Sequence, residues 1–230
     1  MVKRTAKVVS HDETRIVLTG VLVSCVGSTL KMVATDSYRL AVSETELDSP
    51  CPEEFEAVIA GSFLQDIASL PQSEDPITLA LNDNQIVVTY RDTTFINRRI
   101  EGTFPNYKQL IAEGHSTRAT LSTHALTDAV RRVSLLSNKV SPVQVRVDAE
   151  TGVVTLLTNS QDIGNAQENL ICAVDGESVD IAFNFTFMLD GLNSIDTDAV
   201  HLDLFGPMKP GILRAAEGEN FLYLIMPVRV

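Results

Sequence analysis

The sequence predicts an α+β protein made of one domain copied twice, each copy packing two helices on antiparallel sheet. Three segment pairs predict it. Ala34-Thr35-Asp36-Ser37 closes a β-like run, and Leu157-Thr158-Asn159-Ser160 closes another 123 positions on. Phe63-Leu64-Gln65-Asp66 opens a helix-like run, answered by Phe187-Met188-Leu189-Asp190 at an offset of 124. Ile77-Thr78-Leu79-Ala80-Leu81 is answered by Val200-His201-Leu202-Asp203-Leu204, offset 123 again. A period of this length is too long for a solenoid unit of roughly 20–50 residues and has the size of a domain. Such pseudo-symmetry suits a ring or an arc.

The elements of the first copy follow in order. Val2 to Val9 reads as helix, with Val2, Ala6 and Val9 on one face. Arg15 to Val26, rich in β-branched residues and Leu, reads as strand. Gly27-Ser28 turns the chain into Leu30–Ala34, and Thr35-Asp36-Ser37 turns it again into Arg39–Ser43. A loop at Asp48–Pro52 precedes a strand at Phe55–Ile59 and a helix at Ser62–Leu70, ended by Pro71. Strands at Ile77–Leu81, Gln85–Tyr90 and Thr94–Ile100 follow, with Asn82-Asp83-Asn84 as hairpin chemistry.

The second copy repeats the order. A short strand, Arg118–Leu121, leads into a helix at Thr123–Ser137 capped by Ser122 or Thr123. Strands are expected at Val143–Val147, Val153–Thr158, Glu168–Val174 and Val179–Phe183. A helix at Phe185–Ile195 precedes strands at Ala199–Phe205, Gly211–Ala216 and Phe221–Met226. Polar Glu113–Thr117 reads as the linker, dividing the chain into domains 1–115 and 118–230. No counterpart of Arg118–Leu121 precedes the first helix, and Lys3-Arg4 aligns with Arg131-Arg132. The first copy therefore reads as incomplete, as if the chain began in mid-helix.

Composition excludes several classes. Hydrophobic residues make up 44% of the 230, which is incompatible with wholesale disorder. No apolar run approaches the roughly 18 residues of a membrane span, and no signal peptide is evident. Three scattered cysteines, Cys25, Cys51 and Cys172, give neither a disulfide framework nor a zinc pattern, which suits a cytoplasmic location. The four histidines lack metal-ligand spacing. Walker, dinucleotide-binding and nucleophile-elbow motifs are absent, so no cofactor and no catalytic residue is expected. Net charge is −12, which by itself argues against a nucleic-acid binder and makes the placement of each basic residue matter.

Four patterns remain. Ala34–Ala41 (Ala-Thr-Asp-Ser-Tyr-Arg-Leu-Ala) has a turn's chemistry, and Gly102–Tyr107 adds Pro, Asn and two aromatics. The terminus, Leu222-Tyr223-Leu224-Ile225-Met226-Pro227-Val228-Arg229-Val230, stays apolar to its end, where chains usually fray, and suggests a docked segment lining a groove. Lys3, Arg4 and Lys7 lie opposite Val2, Ala6 and Val9. Arg131, Arg132 and Lys139 lie opposite Leu126, Val130, Val133 and Leu136. Each basic set has the simpler reading of a solvated helix face, but its repetition in an acidic chain favours function.

These residues resemble the bacterial sliding clamp, the β subunit of DNA polymerase III. The shared motifs are Ala34–Ala41, Phe104-Pro105-Asn106-Tyr107, Leu135-Leu136-Ser137-Asn138 and Met226-Pro227-Val228-Arg229, in the family's order and approximate spacing. The resemblance covers the whole chain as the family's second and third domains, without the first. It implies duplicated DNA-clamp domains with sheets outside and helices inside, around duplex DNA bound without regard to sequence. It implies partners in the polymerase III α subunit and the clamp loader, which dock through short peptides. Carried over, the peptide pocket falls on Thr35, Ser37, Tyr38, Arg39, Leu40, Pro105, Leu110, Met208, Pro210, Met226, Pro227, Val228 and Arg229. Lys3, Arg4, Lys7, Arg131, Arg132 and Lys139 would face DNA, and Leu135 and Leu136 would sit at a subunit interface. The full protein would be a ring dimer, and this chain a monomer. The alternatives are a two-domain trimeric clamp of archaeal and eukaryotic type, or a metabolic enzyme with a carboxylate site.

Overall fold

The computed structural model describes residues 1–229 except 72, 137–141, 161–163 and 219, and leaves the side chain of Ser160 aside. The chain forms two compact units, Met1–Asn106 and Tyr107–Val230. Each is an α+β unit with antiparallel sheet.

Unit one opens with α1 (Val2–Thr5), which tightens into a 3-10 turn at Ala6–Val8. Its strands are β1 (Gly20–Val26), β2 (Thr29–Thr35), β3 (Arg39–Glu46) and β4 (Phe55–Ala60). Helix α2 (Gly61–Ala68) precedes β5 (Ile77–Leu81), β6 (Gln85–Tyr90) and β7 (Thr93–Ile100). Within the unit the strands run in the order β3-β2-β1-β4-β7-β6-β5. The β4–β7 link is short, with Val58 opposite Ile100 and Ile59 opposite Arg99. The core gathers Ala6, Val8, Val21, Val23, Val33 and Ile59, each fully buried. Burying a Val or Ile side chain is worth about 1.5–3 kcal/mol.

Two local expectations change here. Arg15–Thr19 is not strand: a 3-10 segment spans Glu13–Thr19 before β1 begins. Asp12 explains this, because its carboxylate accepts the Thr14 N–H at 3.0 Å and the Thr14 hydroxyl at 2.6 Å. Such local bonds offer the backbone an alternative to a ladder, despite β-prone Ile16 and Val17. Val2 also leaves the face assigned to it. It lines a shallow groove with Lys3 and Lys7, whereas Ala6 and Val9 are buried. The switch from α to 3-10 pitch after Thr5 changes which residues share a face.

Unit two begins with a 3-10 turn at Tyr107–Leu110, whose Tyr107 is buried. It continues with β8 (Thr117–Ser122) and α3 (Thr123–Ser134). Strands β9 (Val143–Asp148), β10 (Val153–Ser160), β11 (Gly164–Ile171), β12 (Ala173–Gly176) and β13 (Val179–Phe183) follow. Helix α4 (Phe185–Leu192), β14 (Ala199–Leu204), β15 (Gly211–Ala215) and β16 (Phe221–Ile225) complete it. One sheet has the order β11-β10-β9-β13, and the other runs β12-β8-β14-β15-β16. The single strand expected at Glu168–Val174 is two, parted at Cys172, because β11 pairs with β10 and β12 with β8. Helix α3 starts where expected, with the Ser122 hydroxyl accepting the Ala125 N–H at 3.3 Å. Its Leu126, Ala129, Val130 and Val133 are fully buried, as are Val145, Val147, Val154 and Leu156 of the β11-β10-β9-β13 sheet it packs on.

The pairing order carries the repeat. β3-β2-β1-β4 corresponds to β11-β10-β9-β13, and β5-β6-β7 to β14-β15-β16. The strand β8 has no counterpart among the described residues of unit one.

Candidate functional site

In unit one, the Thr35–Leu40 turn is held by its own side chains. The Thr35 hydroxyl donates to the Arg39 carbonyl at 2.7 Å and accepts the Ser37 N–H at 3.1 Å. Asp36 accepts the Tyr38 and Arg39 N–H groups at 2.9 and 3.0 Å, and its other oxygen takes Arg39 Nε at 2.9 Å. Ser37 adopts φ +81°, a conformation a non-glycine residue rarely holds unless its surroundings enforce it. Arg15 adds a bond to the Ser37 hydroxyl at 2.8 Å, a contact the sequence did not indicate. The Arg39 guanidinium also donates to the Lys7 carbonyl at 3.3 Å. The result is a fixed turn that buries Leu40 and presents Tyr38 at 62% exposure. Pro105 is exposed elsewhere on the same unit.

In unit two, the apolar terminus is docked. The Val228 N–H donates to the Ala182 carbonyl on β13 at 2.8 Å. Beside it opens a cavity of about 630 Å³. Met208, Val228 and Arg229 line it, with Val145, Leu157, Ile181 and Ala182 as strand walls. Arg146 and Asp180 lie at the same cavity and pair with each other at 2.9 Å. This ion pair pushes Arg146 above its ordinary value, chiefly through the hydrogen bond its guanidinium donates to the Asp180 carboxylate. Leu110, Pro210, Met226 and Pro227 are not among its described walls. Leu110 and Met226 are nonetheless exposed apolar side chains. Sequence reading missed the strand walls, because Val145, Leu157 and Ile181 look like any core position. Their only signal is a period-two alternation that cannot tell core from cavity wall.

The basic residues have distinct surroundings. Lys3 and Lys7 flank a groove of about 230 Å³ with Gln65, Ala68 and Ser69. Gln65 donates to the Ala6 carbonyl at 3.0 Å, tying α2 to the turn after α1. Arg131 reaches Asp128 at 3.4 Å and Asn193 on the far side of the α3–α4 groove at 3.1 Å. Arg132 is bound more fully, by a two-pronged contact with Glu168 of β11 at 2.7 and 3.1 Å. That hydrogen bond raises Arg132 and holds Glu168 below the usual carboxylate range. Lys139, Ser137 and Asn138 lie outside the described residues. Leu135 is 78% exposed at the end of α3, and Leu136 is half-buried. Among the described residues, no group of three or more His, Cys, Asp or Glu side chains is placed to hold a metal.

A two-unit α+β chain of this topology, with a docked terminus beside an apolar cavity and helices bearing basic residues, has the form of a DNA-clamp protein. The chain belongs to the DNA polymerase III beta subunit family. Residues 1–106 match its central domain and residues 108–229 its C-terminal domain. It is similar to the beta sliding clamp of Synechocystis sp., 33% identical over 96% of this chain and 60% of that protein. It is 32% identical to the beta sliding clamp of Staphylococcus aureus, over all of this chain and 61% of the relative. Among solved structures, the DNA polymerase sliding clamp from Bacillus subtilis superposes with a TM-score of 0.95 at 28% identity, covering 100% of this chain and 61% of that one. The chain thus spans about 60% of the length of the curated relatives it matches. No described helix is long and apolar enough to cross a membrane.

Proposed function

We propose that this chain is the part of a DNA sliding clamp that carries its peptide-docking site, within a ring that encloses duplex DNA and tethers its partners. It would act in the cytoplasm as a processivity factor and perform no catalysis. A tether works by raising the effective concentration of polymerase at the primer end. The observation that carries the reading is the docked terminus. Val228 is bonded to β13 beside a cavity of about 630 Å³ with apolar strand walls, in a chain whose two units match two domains of one clamp family. Concave, mainly apolar sites with few polar groups suit short peptide anchors.

The partners in this reading are the polymerase III α subunit and the clamp loader, each offering a peptide of the type Gln-Leu-x-Leu-Phe. The remaining pocket residues, Thr35, Ser37, Tyr38, Arg39, Leu40, Pro105, Leu110, Pro210, Met226 and Pro227, belong to the proposal on the family resemblance. So does the assignment of residues 1–115 and 118–230 as the second and third clamp domains, with Leu135 and Leu136 at a subunit contact. Calorimetry with a Gln-Leu-x-Leu-Phe peptide tests the pocket. Deleting residues 226–230, in a variant shown by circular dichroism to be folded, should abolish binding, since anchors carry most of such an interface's energy. Unchanged affinity would reject the site.

Toward DNA, the proposal assigns loose phosphate attraction to Lys3, Arg4, Lys7, Arg131, Arg132 and Lys139. Such binding is indifferent to sequence and weakens with salt. Arg132 is already occupied by Glu168, which supports a smaller role for it than for Arg131. In a closed ring, Arg131→Glu should therefore reduce retention on duplex more than Arg132→Glu. Tight, sequence-selective binding, or equal effects of the two reversals, would count against this assignment.

A further inference from the structure

Two of the three cysteines meet within unit one, at the end of β1. Cys25 is 1% exposed, and its sulfur lies 3.9 Å from the Gly27 carbonyl oxygen. The same oxygen accepts the backbone N–H of Cys51 at 2.9 Å. Leu47 N–H binds the neighbouring Ser28 carbonyl at 2.8 Å, so two backbone bonds lay the loop after β3 over the β1–β2 turn. Both cysteines converge on one carbonyl. Cys51 is only half-buried and can be reached from solvent. Cys172 belongs to unit two.

We propose that Cys25 and Cys51 are a modification site: peroxide converts them to a reversible disulfide that fastens the 47–54 loop to the β1–β2 turn. The chemistry balances with one oxidant. The Cys51 thiolate attacks a peroxide oxygen and the O–O bond breaks. The departing hydroxide takes the proton that the thiol had lost, leaving a sulfenic acid and one water. The Cys25 sulfur then attacks the Cys51 sulfur and the S–O bond breaks. The second hydroxide takes the Cys25 proton as a second water. Two thiols and one hydrogen peroxide become one disulfide and two waters.

The roles follow from the surroundings. Burial first, and the neighbouring Cys51 thiol second, push the Cys25 thiol up to about 11, and the Glu54 carboxylate adds to this. Cys25 is therefore protonated at neutral pH and a poor first target, since the thiolate is the reactive form. It serves as the resolving thiol, held in place by its strand. The Gly27 carbonyl, met by the Cys25 sulfur and by the Cys51 N–H, brings Cys51 to the end of β1 where Cys25 lies.

The test uses the full chain treated with hydrogen peroxide and mapped without reduction by mass spectrometry. The expected result is a Cys25–Cys51 cross-linked peptide, one free thiol remaining of three, and full reversal by dithiothreitol. The thermal midpoint of unit one should rise by several degrees, because the cross-link restricts the unfolded chain. Cys51→Ser, on the exposed loop, should abolish the cross-link while leaving Cys25 a thiol. Cys172→Ser should change nothing. The resolving step should quicken about tenfold per pH unit from pH 7 to 9, following the Cys25 thiolate population. Sulfinic acid on Cys51 with Cys25 still free, a bridge to Cys172, or a pH-independent resolving step would each overturn the proposal.

Discussion

The two units share a scaffold but are finished differently, and the finishing shows what each part of the scaffold does. In unit two, α3 has twelve residues and a serine cap, and β8 lies beside β14. In unit one, α1 has four residues, lacks a side-chain cap, and β5 has only β6 as a neighbour in its unit. The consequence is visible at one matched position. Offset 123 sets Ala80 of β5 against Asp203 of β14. Ala80 is exposed; Asp203 is completely buried. β8 supplies the reason, because its Arg118 grips both Asp203 oxygens at 2.6 and 2.8 Å, and Arg214 of β15 approaches at 3.3 Å. A buried carboxylate is tolerable only when paired and hydrogen-bonded. The added strand turns an open edge into a site where charge can be enclosed.

The largest effect should come from breaking that pair. Asp203→Ala leaves two arginines facing each other with no counter-charge. Loss of one partner of a buried pair costs roughly 3–5 kcal/mol. Both arginines keep about a third of their side chains in water (30% and 32%), so the lower end, about 3 kcal/mol, is expected. The matched change Ala80→Asp should cost no more than about 0.5 kcal/mol, as a surface substitution. Hydrogen exchange resolved to β14 and β5 during urea titration measures both. Equal losses in the two units would erase the distinction drawn from β8.

A second, smaller contrast lies in the helices. Offset 124 sets Ile67 of α2 against Gly191 of α4. Unit two uses glycine there because Tyr223 of β16, fully buried, fills the space: a Cβ on residue 191 would come within 2.5 Å of its ring. Gly191→Ala should therefore destabilise unit two by about 2 kcal/mol through overpacking, although alanine is the better helix former. Ile67→Val, on the matching face, should cost about 1 kcal/mol by cavity formation. Differential scanning calorimetry of the two variants checks the order. A stabilised Gly191→Ala protein would show that Tyr223 yields easily.

These contrasts also mark what the sequence can and cannot reveal. The repeat was legible because strand and helix periodicities survive in both copies, and the matched pairings β5-β6-β7 and β14-β15-β16 lie where the offset indicated. The turn at Thr35–Leu40 was legible because Asp36 announces its own backbone bonds, whereas those of the Thr35 hydroxyl were not read from the sequence. The segment 15–19 was misread because β-branched content outweighed a single aspartate. The break at Cys172 was invisible, since it reflects a change of pairing partner rather than a turn residue. The cavity walls at Val145, Leu157 and Ile181 were hidden for the same reason: what a strand faces depends on distant chain. Of the basic residues, the sequence showed the charge of Arg132 but not Glu168, 36 positions away, which occupies it.

The mildest effect concerns pH and again separates the units. His201 of β14 answers to Thr78 of β5 at offset 123, so only unit two titrates there. Burial first, then the positive charge of Arg118, hold His201 below its ordinary value of 6.5, while Thr120 meets its Nδ1 at 2.9 Å. The sign follows from proton counts. Above about pH 6.5 the imidazole is neutral in folded and unfolded chains alike, and no linkage arises. As pH falls below that value the unfolded chain takes up the proton before the folded one does. Stability therefore drops until the depressed folded value is passed, and the difference then stays constant. His201→Gln removes the titrating group and should flatten the slope between pH 6.5 and 5 in unit two, leaving unit one unchanged. Hydrogen exchange at β14 and β5 over this range reads the two separately. A slope in β14 that persists in His201→Gln would move the effect to other groups, and an equal slope in β5 would mean that the carboxylates common to both units, rather than the half-buried histidine, set the acid response.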